Sequence, residues 1–194
     1  MDFPKALRAI LRQDPNIIMI GEIRDSETAR IAIQAALTGQ LVLSTLHTNN
    51  ATASITRLKN MGIESYLIAS TLKAVLSQRL VRKICQKCSI TLDTHDLWRE
   101  RFKNESFANL PEKLSTAVGC TDCRGSGYAG RSTISELFIL DEKIRTLISK
   151  DVSEADLEMS ARDNGMETMY HCGMSKAWSG ETTIEEVLRV TRID

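Results

Sequence analysis

Two pairs of cysteines most constrain how this chain can fold. Cys85 and Cys88 form one C-x-x-C pair, Cys120 and Cys123 form another, and residues 89–119 separate them. In a reducing compartment such pairs bind metal more often than they form disulfides. Four thiolates are enough to close a tetrahedral structural zinc site and leave no open position for catalysis. The spacing therefore predicts a structural zinc site on these four residues.

Two other residues with metal-ligand chemistry lie outside the pairs. His95 lies between them, but four cysteines already complete a site, so we expect a surface histidine. Cys172 is expected to be a small buried residue. Hydrophobic periodicity is weak from about residue 85 to residue 130, so bound zinc would supply folding energy that this stretch otherwise lacks.

Composition excludes several function classes. The 194 residues include 25 Lys and Arg and 25 Asp and Glu, and only 5% of the residues are aromatic. Zero net charge and few aromatic rings argue against nucleic-acid binding, including by a zinc ribbon. No apolar run approaches the roughly 18–20 residues of a membrane span, and the first four residues do not resemble a signal peptide. We therefore expect a soluble protein of the cytosol.

The neutral total conceals an uneven distribution of charge. The net charge is +2 over residues 1–78, +4 over residues 79–133 and −6 over residues 134–194. These charges either form solvated surfaces or contact neighbouring copies of the chain. The same alternatives hold for the basic set before and within the first cysteine pair, which is a solvated face or contacts another subunit or a membrane platform: Arg79, Arg82, Lys83 and Lys87.

Helical and strand patterns alternate over the first 80 residues. Residues 17–20 and 41–43 are short apolar runs, typical of strands buried on both faces. Asp25 or Ser26 can cap the helix between them, which is expected to stop at Gly39. A strand, a helix and a strand in this order predict parallel pairing with a right-handed crossover. The pattern is that of one half of an α/β domain.

Helical patterns also dominate the end of the chain. Residues 134–140 predict a strand, and Ser153 and Thr183 are predicted to cap two of the helices that follow. Three segments result: an α/β half-domain over residues 1–80, a tetracysteine metal-binding module over residues 81–133 and a helical subdomain over residues 134–194.

Polar residues come directly after both predicted strands of the α/β half. Glu22, Arg24 and Asp25 follow the first strand, and Thr45 and His47 follow the second. Ligands of α/β sheets bind at this edge, where a carboxylate can hold Mg²⁺ through water and a histidine can contact a γ-phosphate. The alternative is that the first group only forms a turn and a helix cap, and that the histidine is structural.

Several segments carry a family resemblance. Residues 11–25, LRQDPNIIMIGEIRD, closely resemble the Walker B segment of the type II secretion and type IV pilus assembly ATPases (GspE/PilB-like), and residues 41–49 resemble their histidine box. Residues 78–82, 127–131 and 180–188 also resemble family segments. This chain has Asn16, Gln40 and Asn50 where the family commonly has Asp, His and Asp.

The resemblance implies a hexameric RecA-like motor that hydrolyses Mg-ATP beside the bacterial inner membrane, on the cytoplasmic side, with secretion or pilus platform proteins as partners. Glu22 and His47 match the catalytic Walker B glutamate and the histidine-box residue. The residues associated with nucleotide and magnesium are Gly21, Arg24, Asp25 and Thr45.

The phosphate-binding loop that such a motor requires is not found in the sequence. Residues 125–132 nearly fit G-x-x-x-x-G-K-[ST], but they follow a cysteine pair and have Arg131 in place of lysine. We interpret them as turns of the metal module. We therefore expect the carboxyl-terminal part of a longer ATPase, which alone hydrolyses ATP negligibly. The alternative is a stand-alone zinc-bearing interaction module without ATPase activity.

Overall fold

The computed structural model describes residues 3–94, 98, 100 and 111–191. His95, expected at the surface, lies outside the described residues. The helices are α1 (Phe3–Leu11), α2 (Ser26–Leu37), α3 (Ala53–Asn60), α4 (Ser65–Thr71), α5 (Glu142–Ser149), α6 (Glu154–Asp163), α7 (Met169–Trp178) and α8 (Ile184–Thr191). The strands are β1 (Ile17–Ile20), β2 (Leu41–Ser44), β3 (Ala74–Ile84), β4 (Ile90–Asp93), β5 (Lys113–Thr116) and β6 (Tyr128–Ile139).

The chain forms two compact units, and each combines two stretches that are distant in sequence. The first unit contains Met1–Ser77 and Leu137–Met166, and the second contains Gln78–Glu136 and Glu167–Asp194. The three consecutive segments expected from the sequence, 1–80, 81–133 and 134–194, stay a prediction.

In the first unit, β1 and β2 pair in parallel, with Ile17 opposite Leu41 and Ile20 opposite Ser44. Helix α2 connects them and begins where the sequence indicated, because an Asp25 carboxylate oxygen accepts a hydrogen bond of 2.8 Å from the Thr28 backbone N–H. The predicted parallel arrangement is confirmed. The hydrophobic core of this unit is formed by apolar side chains from both of its stretches, among them Ile18, Ile20, Ala29, Ile55, Ile68, Phe138, Ile144 and Leu157.

The expectation that β1 is buried on both faces is wrong for the part of the chain that the structure describes. Ile18 and Ile20 are buried, but Ile17 is 62% exposed and Met19 is 84% exposed. Leu41 and Leu43, their partners on β2, are also about half exposed. One apolar face of this sheet is therefore open to solvent.

Ile68, Leu72, Val75 and Leu76 recur at helical spacing, which predicts a helix through Leu76, but the helix ends earlier. Helix α4 stops at Thr71, Leu72 is extended, and residues 74–84 form β3. Apolar residues at helical spacing are thus divided between a helix and a strand, an ambiguity typical of short apolar runs.

In the second unit, β4 and β5 pair antiparallel, and apolar side chains form two small clusters to which α7 and α8 contribute. One cluster contains Met174, Ala177, Ile184 and Val187. Another contains Val81, Ile134, Met169 and Val190, and Cys172 packs against it while staying only partly buried. The expectation for Cys172 is therefore met only in part.

Candidate functional site

The residues after β1 and β2 meet at one edge of the sheet, which we call the edge site (Gly21, Glu22, Arg24, Thr45 and His47). The Oε2 atom of Glu22 accepts a hydrogen bond of 2.6 Å from the Arg24 Nε–H and lies 3.2 Å from Nε2 of His47. The two sequence motifs predicted to share this edge therefore lie in direct contact.

Two further hydrogen bonds join the segments of the edge site. The Thr45 hydroxyl donates to the Gly21 carbonyl at 2.7 Å, and the Ile23 backbone N–H donates to the Thr45 carbonyl at 3.0 Å. Because these bonds connect the residues immediately after each strand, they set the distance between Glu22 and His47.

The charged groups of the edge site are accessible. The Glu22 side chain is 38% exposed, and the His47 side chain is 79% exposed. The Arg24 guanidinium, followed by His47, lowers the pKa of the Glu22 carboxyl, so this group is ionised at neutral pH. An accessible carboxylate is the type of ligand that Mg²⁺ binds directly or through water, so Glu22 fits such an ion.

Asp25 makes different contacts from its neighbours. One of its carboxylate oxygens accepts from the Thr28 backbone N–H, and the other accepts from the Thr28 hydroxyl at 2.9 Å. These hydrogen bonds lower the pKa of Asp25. The structure thus assigns Asp25 the role of helix cap, one of the two alternatives that the sequence left open, and its association with magnesium stays a prediction.

The four paired cysteines converge in the second unit, and we call them the cysteine site (Cys85, Cys88, Cys120 and Cys123). Their Sγ atoms all lie within 4.8 Å of one another, and the Cys85–Cys120, Cys88–Cys123 and Cys120–Cys123 pairs are 4.0, 3.8 and 3.7 Å apart. Zinc–sulfur bonds of ~2.3 Å place the corners of a tetrahedron ~3.8 Å apart. The donor set and its spacing therefore fit one zinc ion.

Backbone N–H groups point at the sulfur atoms. Gly119 donates to Cys88 Sγ at 3.3 Å, and Cys120 and Gly127 donate to Cys123 Sγ at 3.1 and 3.2 Å. The bond from Cys120 lowers the pKa of the Cys123 thiol, whereas burial raises the pKa of Cys88. A divalent cation would favour the thiolate form at every cysteine of the site, because only the thiolate binds metal.

One glycine of the segment that resembles a phosphate-binding loop, Gly127, serves the cysteine site. Gly127 has a φ of 76°, and a Cβ atom at this position would lie 2.7 Å from the Cβ of Ala117. Its N–H donates to Cys123, as described above. This position therefore favours glycine for both backbone conformation and space, which agrees with the interpretation of residues 125–132 as turns.

The basic set of the sequence is engaged within the second unit. Arg79 donates to the Val190 carbonyl at 2.8 Å, Lys87 contacts Asp122 at 2.7 Å, and Lys83 lies 4.0 Å from Glu181. Arg82 donates to the Glu186 carboxylate at 2.7 Å. All four residues thus have partners within the second unit, but Arg82, Lys83 and Lys87 also keep about half or more of their side chains exposed, so both alternatives stay predictions.

Sequence reasoning placed Glu186 only in a helix cap with Thr183, and it missed the burial of this side chain and its contacts with arginine. Its side chain is 0% exposed and contacts both Arg82 and Arg189. A local signal for the ion pair was Arg189 at the i+3 position, a spacing at which helical charges interact. Arg82 is distant in sequence, so no local pattern could indicate it.

Comparison with known proteins decides the family. The chain matches the family described as type II/IV secretion system protein over residues 1–189. This chain belongs to that family. The type II secretion system protein HxcR of Pseudomonas aeruginosa is 51% identical over 192 residues, which are 99% of this chain and 37% of the relative.

Two other relatives are a type II secretion system protein and a type IV pilus assembly ATPase. The type II secretion system protein E of Xanthomonas campestris is 50% identical, and the match covers 98% of this chain and 34% of the relative. The type IV pilus assembly ATPase PilB of Thermus thermophilus is 47% identical, and the match covers 98% of this chain and 22% of the relative. The chain thus spans about a third or less of the length of these curated relatives.

Solved structures confirm the fold class. The pilus retraction motor PilT with bound ADP is 27% identical, with a TM-score of 0.69 over 99% of this chain and 44% of that one. The ATPase DotB of Legionella pneumophila has a TM-score of 0.65 at 21% identity, over 97% of this chain and 42% of that one. The predicted α/β class, a partial RecA-like core with a four-cysteine module and a helical carboxyl-terminal part, is confirmed.

No helix in the part of the chain that the structure describes combines the length and the apolar character that a membrane crossing needs.

Proposed function

We propose that this chain is the carboxyl-terminal part of a cytoplasmic hexameric ATPase that powers type II secretion or type IV pilus assembly. It would act beside the bacterial inner membrane with platform proteins as partners. Family membership and identities of 47–51% to secretion and pilus relatives support this function. The observation that carries it is the 3.2 Å contact between Glu22 and His47, which joins two separate sequence motifs at one accessible edge.

The proposed roles follow from the position of each group. The ionised Glu22 carboxylate would orient a magnesium ion and the attacking water, and His47 would contact the γ-phosphate. Gly21, Arg24 and Thr45 hold these two side chains in place. Bound Mg²⁺ supplies neutralisation of the charge that develops on the phosphate oxygens. Both catalytic groups would depend on a Walker A loop to hold the nucleotide, because backbone N–H groups and a lysine are needed for the phosphates.

The open apolar face of β1 and β2 supports a longer ATPase. Ile17, Met19, Leu41 and Leu43 present a row of apolar side chains to solvent. Parallel sheets are normally covered on both faces, because crossover connections place helices there. An additional part of the ATPase domain would remove these side chains from water.

In the experiment, this chain replaces the matching portion of the type IV pilus assembly ATPase PilB of Thermus thermophilus, and phosphate release by the chimaera is measured. We expect Glu22→Gln to lower the rate at least about 100-fold, the usual size of a lost general acid–base contribution. Glu64→Gln, at an exposed glutamate of the same unit, should leave the rate unchanged. Robust turnover by the 194-residue chain alone, lost in Glu22→Gln, would show that no Walker A part is required.

A stand-alone zinc-bearing interaction module is the second candidate, and the cysteine site favours it because that site needs no nucleotide-binding part. Such a module would co-purify with a Walker A-bearing partner in mixed rings of fixed stoichiometry. A chimaera as active as PilB would instead favour the ATPase.

A further inference from the structure

A buried carboxylate ties α8 to β3. Glu186 accepts hydrogen bonds from the Arg82 backbone N–H at 3.0 Å and from the Arg82 guanidinium at 2.7 Å. The Arg189 guanidinium donates two more, at 2.8 and 2.7 Å. Four donors satisfy the oxygens of a side chain that is removed from water, so α8 is held at this position on β3.

The segment of β3 that binds Glu186 leads directly into the cysteine site. Arg82 lies three residues before Cys85. Between them, the Ile84 N–H donates to the Glu181 carbonyl at 3.0 Å, and the Thr182 hydroxyl donates to the Arg82 carbonyl at 2.8 Å. The residues just before α8, Glu181 and Thr182, therefore form hydrogen bonds with the end of β3, immediately before the first cysteine.

The start of β6 connects the second cysteine pair to the residues around α8. The Gly127 N–H donates to Cys123 Sγ, and the Gly127 carbonyl accepts from the Cys85 N–H at 2.9 Å. The next residue, Tyr128, places its ring 4.2 Å from the Arg82 guanidinium carbon, and its hydroxyl lies 2.9 Å from the Thr183 hydroxyl. Thr183 in turn caps α8 by accepting from the Glu186 N–H at 3.2 Å.

We propose that metal binding at the cysteine site and docking of α8 are thermodynamically coupled. The α8 clamp (Arg82, Tyr128, Thr183 and Glu186) uses the end of β3 and the start of β6, and a shared metal on Cys85 and Cys123 holds these same two segments together. Without the metal, the segments separate more easily, the Arg82–Tyr128 contact loosens, and α8 is released. The proposal rests on the fit of the four thiols to zinc and does not require the ATPase function.

The first experiment measures hydrogen exchange of the 194-residue chain with zinc bound and after chelation, with zinc content checked by elemental analysis. Amides of residues 184–191 should exchange at least about fivefold faster without zinc, the lower end of usual coupling factors. Amides of α2 and α3 in the first unit should keep their rates. Unchanged protection of α8 in a zinc-free sample would overturn the proposal.

The second experiment uses the reciprocity of coupling, since α8 docking must tighten zinc binding by the same factor. Competition with a chromophoric chelator should show zinc binding at least about fivefold weaker in Glu186→Gln than in wild type, while the exposed neighbour variant Glu185→Gln matches wild type. Equal affinities in Glu186→Gln and wild type would overturn the proposal, even where chelation unfolds the whole chain.

Tyr128→Phe provides the same test if Glu186→Gln does not fold. It removes only the hydroxyl that contacts Thr183. Weaker zinc binding than in wild type supports the coupling, and unchanged binding contradicts it.

Discussion

Two glutamates of this protein, Glu22 and Glu186, each contact arginine at close to 2.7 Å, yet their surroundings differ. Glu22 contacts Arg24, a neighbour in sequence, and both side chains are accessible to water. Glu186 contacts Arg82 from a distant strand, and its carboxylate has no exposed surface. Pairs of glutamate and arginine thus occur both at an open edge and inside a unit.

The difference indicates what each carboxylate does. An exposed ion pair contributes little to stability because water screens it, so Glu22 remains available to a ligand. A buried carboxylate that loses its partners is costly, because its charge then has no compensation. We therefore propose a catalytic role for Glu22 and a structural role for Glu186, and five predictions test this contrast.

The largest effect is expected at the cysteine site. Cys120→Ser should abolish binding of one zinc per chain and unfold much of the second unit, because structural zinc contributes on the order of 10 kcal/mol. Elemental analysis and thermal unfolding measure both outcomes. Cys172→Ser is the matched control and should keep its zinc. A zinc-free protein that is fully folded would refute the structural role.

Replacing the buried carboxylate should have the next largest effect. Glu186→Gln should lower the free energy of unfolding by about 3 kcal/mol, because two arginines lose their ionised partner. Urea unfolding measures the loss, and Glu185→Gln, at an exposed position next to it, should change little. Equal stabilities of the two variants would contradict the assignment of Glu186 to the fold.

The contribution of the ionised Glu186 carboxylate to stability should also depend on pH. Burial by itself raises the pKa of this carboxyl, but hydrogen bonds from Arg189 and Arg82 outweigh it and lower the pKa from 4.5 to about 2. Its contribution is therefore present above pH 4.5 and is lost as the pH falls toward 2. The stability difference between wild type and Glu186→Gln should shrink across this window. A difference that stays constant would show that the native pKa is not lowered.

Two glycines extend the contrast to packing. A Cβ atom on Gly173 of α7 would lie 2.6 Å from Cγ1 of Val187, whereas one on Gly21 would have no atom within 4 Å. Gly173→Ala should therefore cost about 1–3 kcal/mol by overpacking, and Gly21→Ala should cost much less. Denaturant unfolding measures the free energy of unfolding of both variants. Equal losses in the two variants would contradict the prediction.

The smallest effect on stability is expected at the edge site. Glu22→Gln should leave the urea midpoint within error of wild type, since the contact with Arg24 is exposed. The substitution should instead lower the rate of phosphate release by the PilB chimaera. A large loss of stability would mean that Glu22 belongs to the fold rather than to the site.

Much of the local structure could be predicted from the sequence. The helix cap at Asp25, the short strands β1 and β2 and the turns near Gly127 depend on neighbouring residues, whose conformational preferences are encoded locally. The C-x-x-C spacing likewise identified the four cysteines that converge. Burial was less predictable, because an apolar residue such as Met19 is consistent with either a covered or an exposed face.

The sequence by itself determined the candidate residues: the four paired cysteines, and Glu22 and His47 after two strands. Only the tertiary structure decided that Glu186 is buried beside Arg82, and that each compact unit combines two distant stretches of chain. The physical reason is the distance in sequence between the residues that contact each other. Caps, turns and strands follow from contacts between close neighbours, whereas the burial of a carboxylate depends on which remote segments the folded chain brings against it.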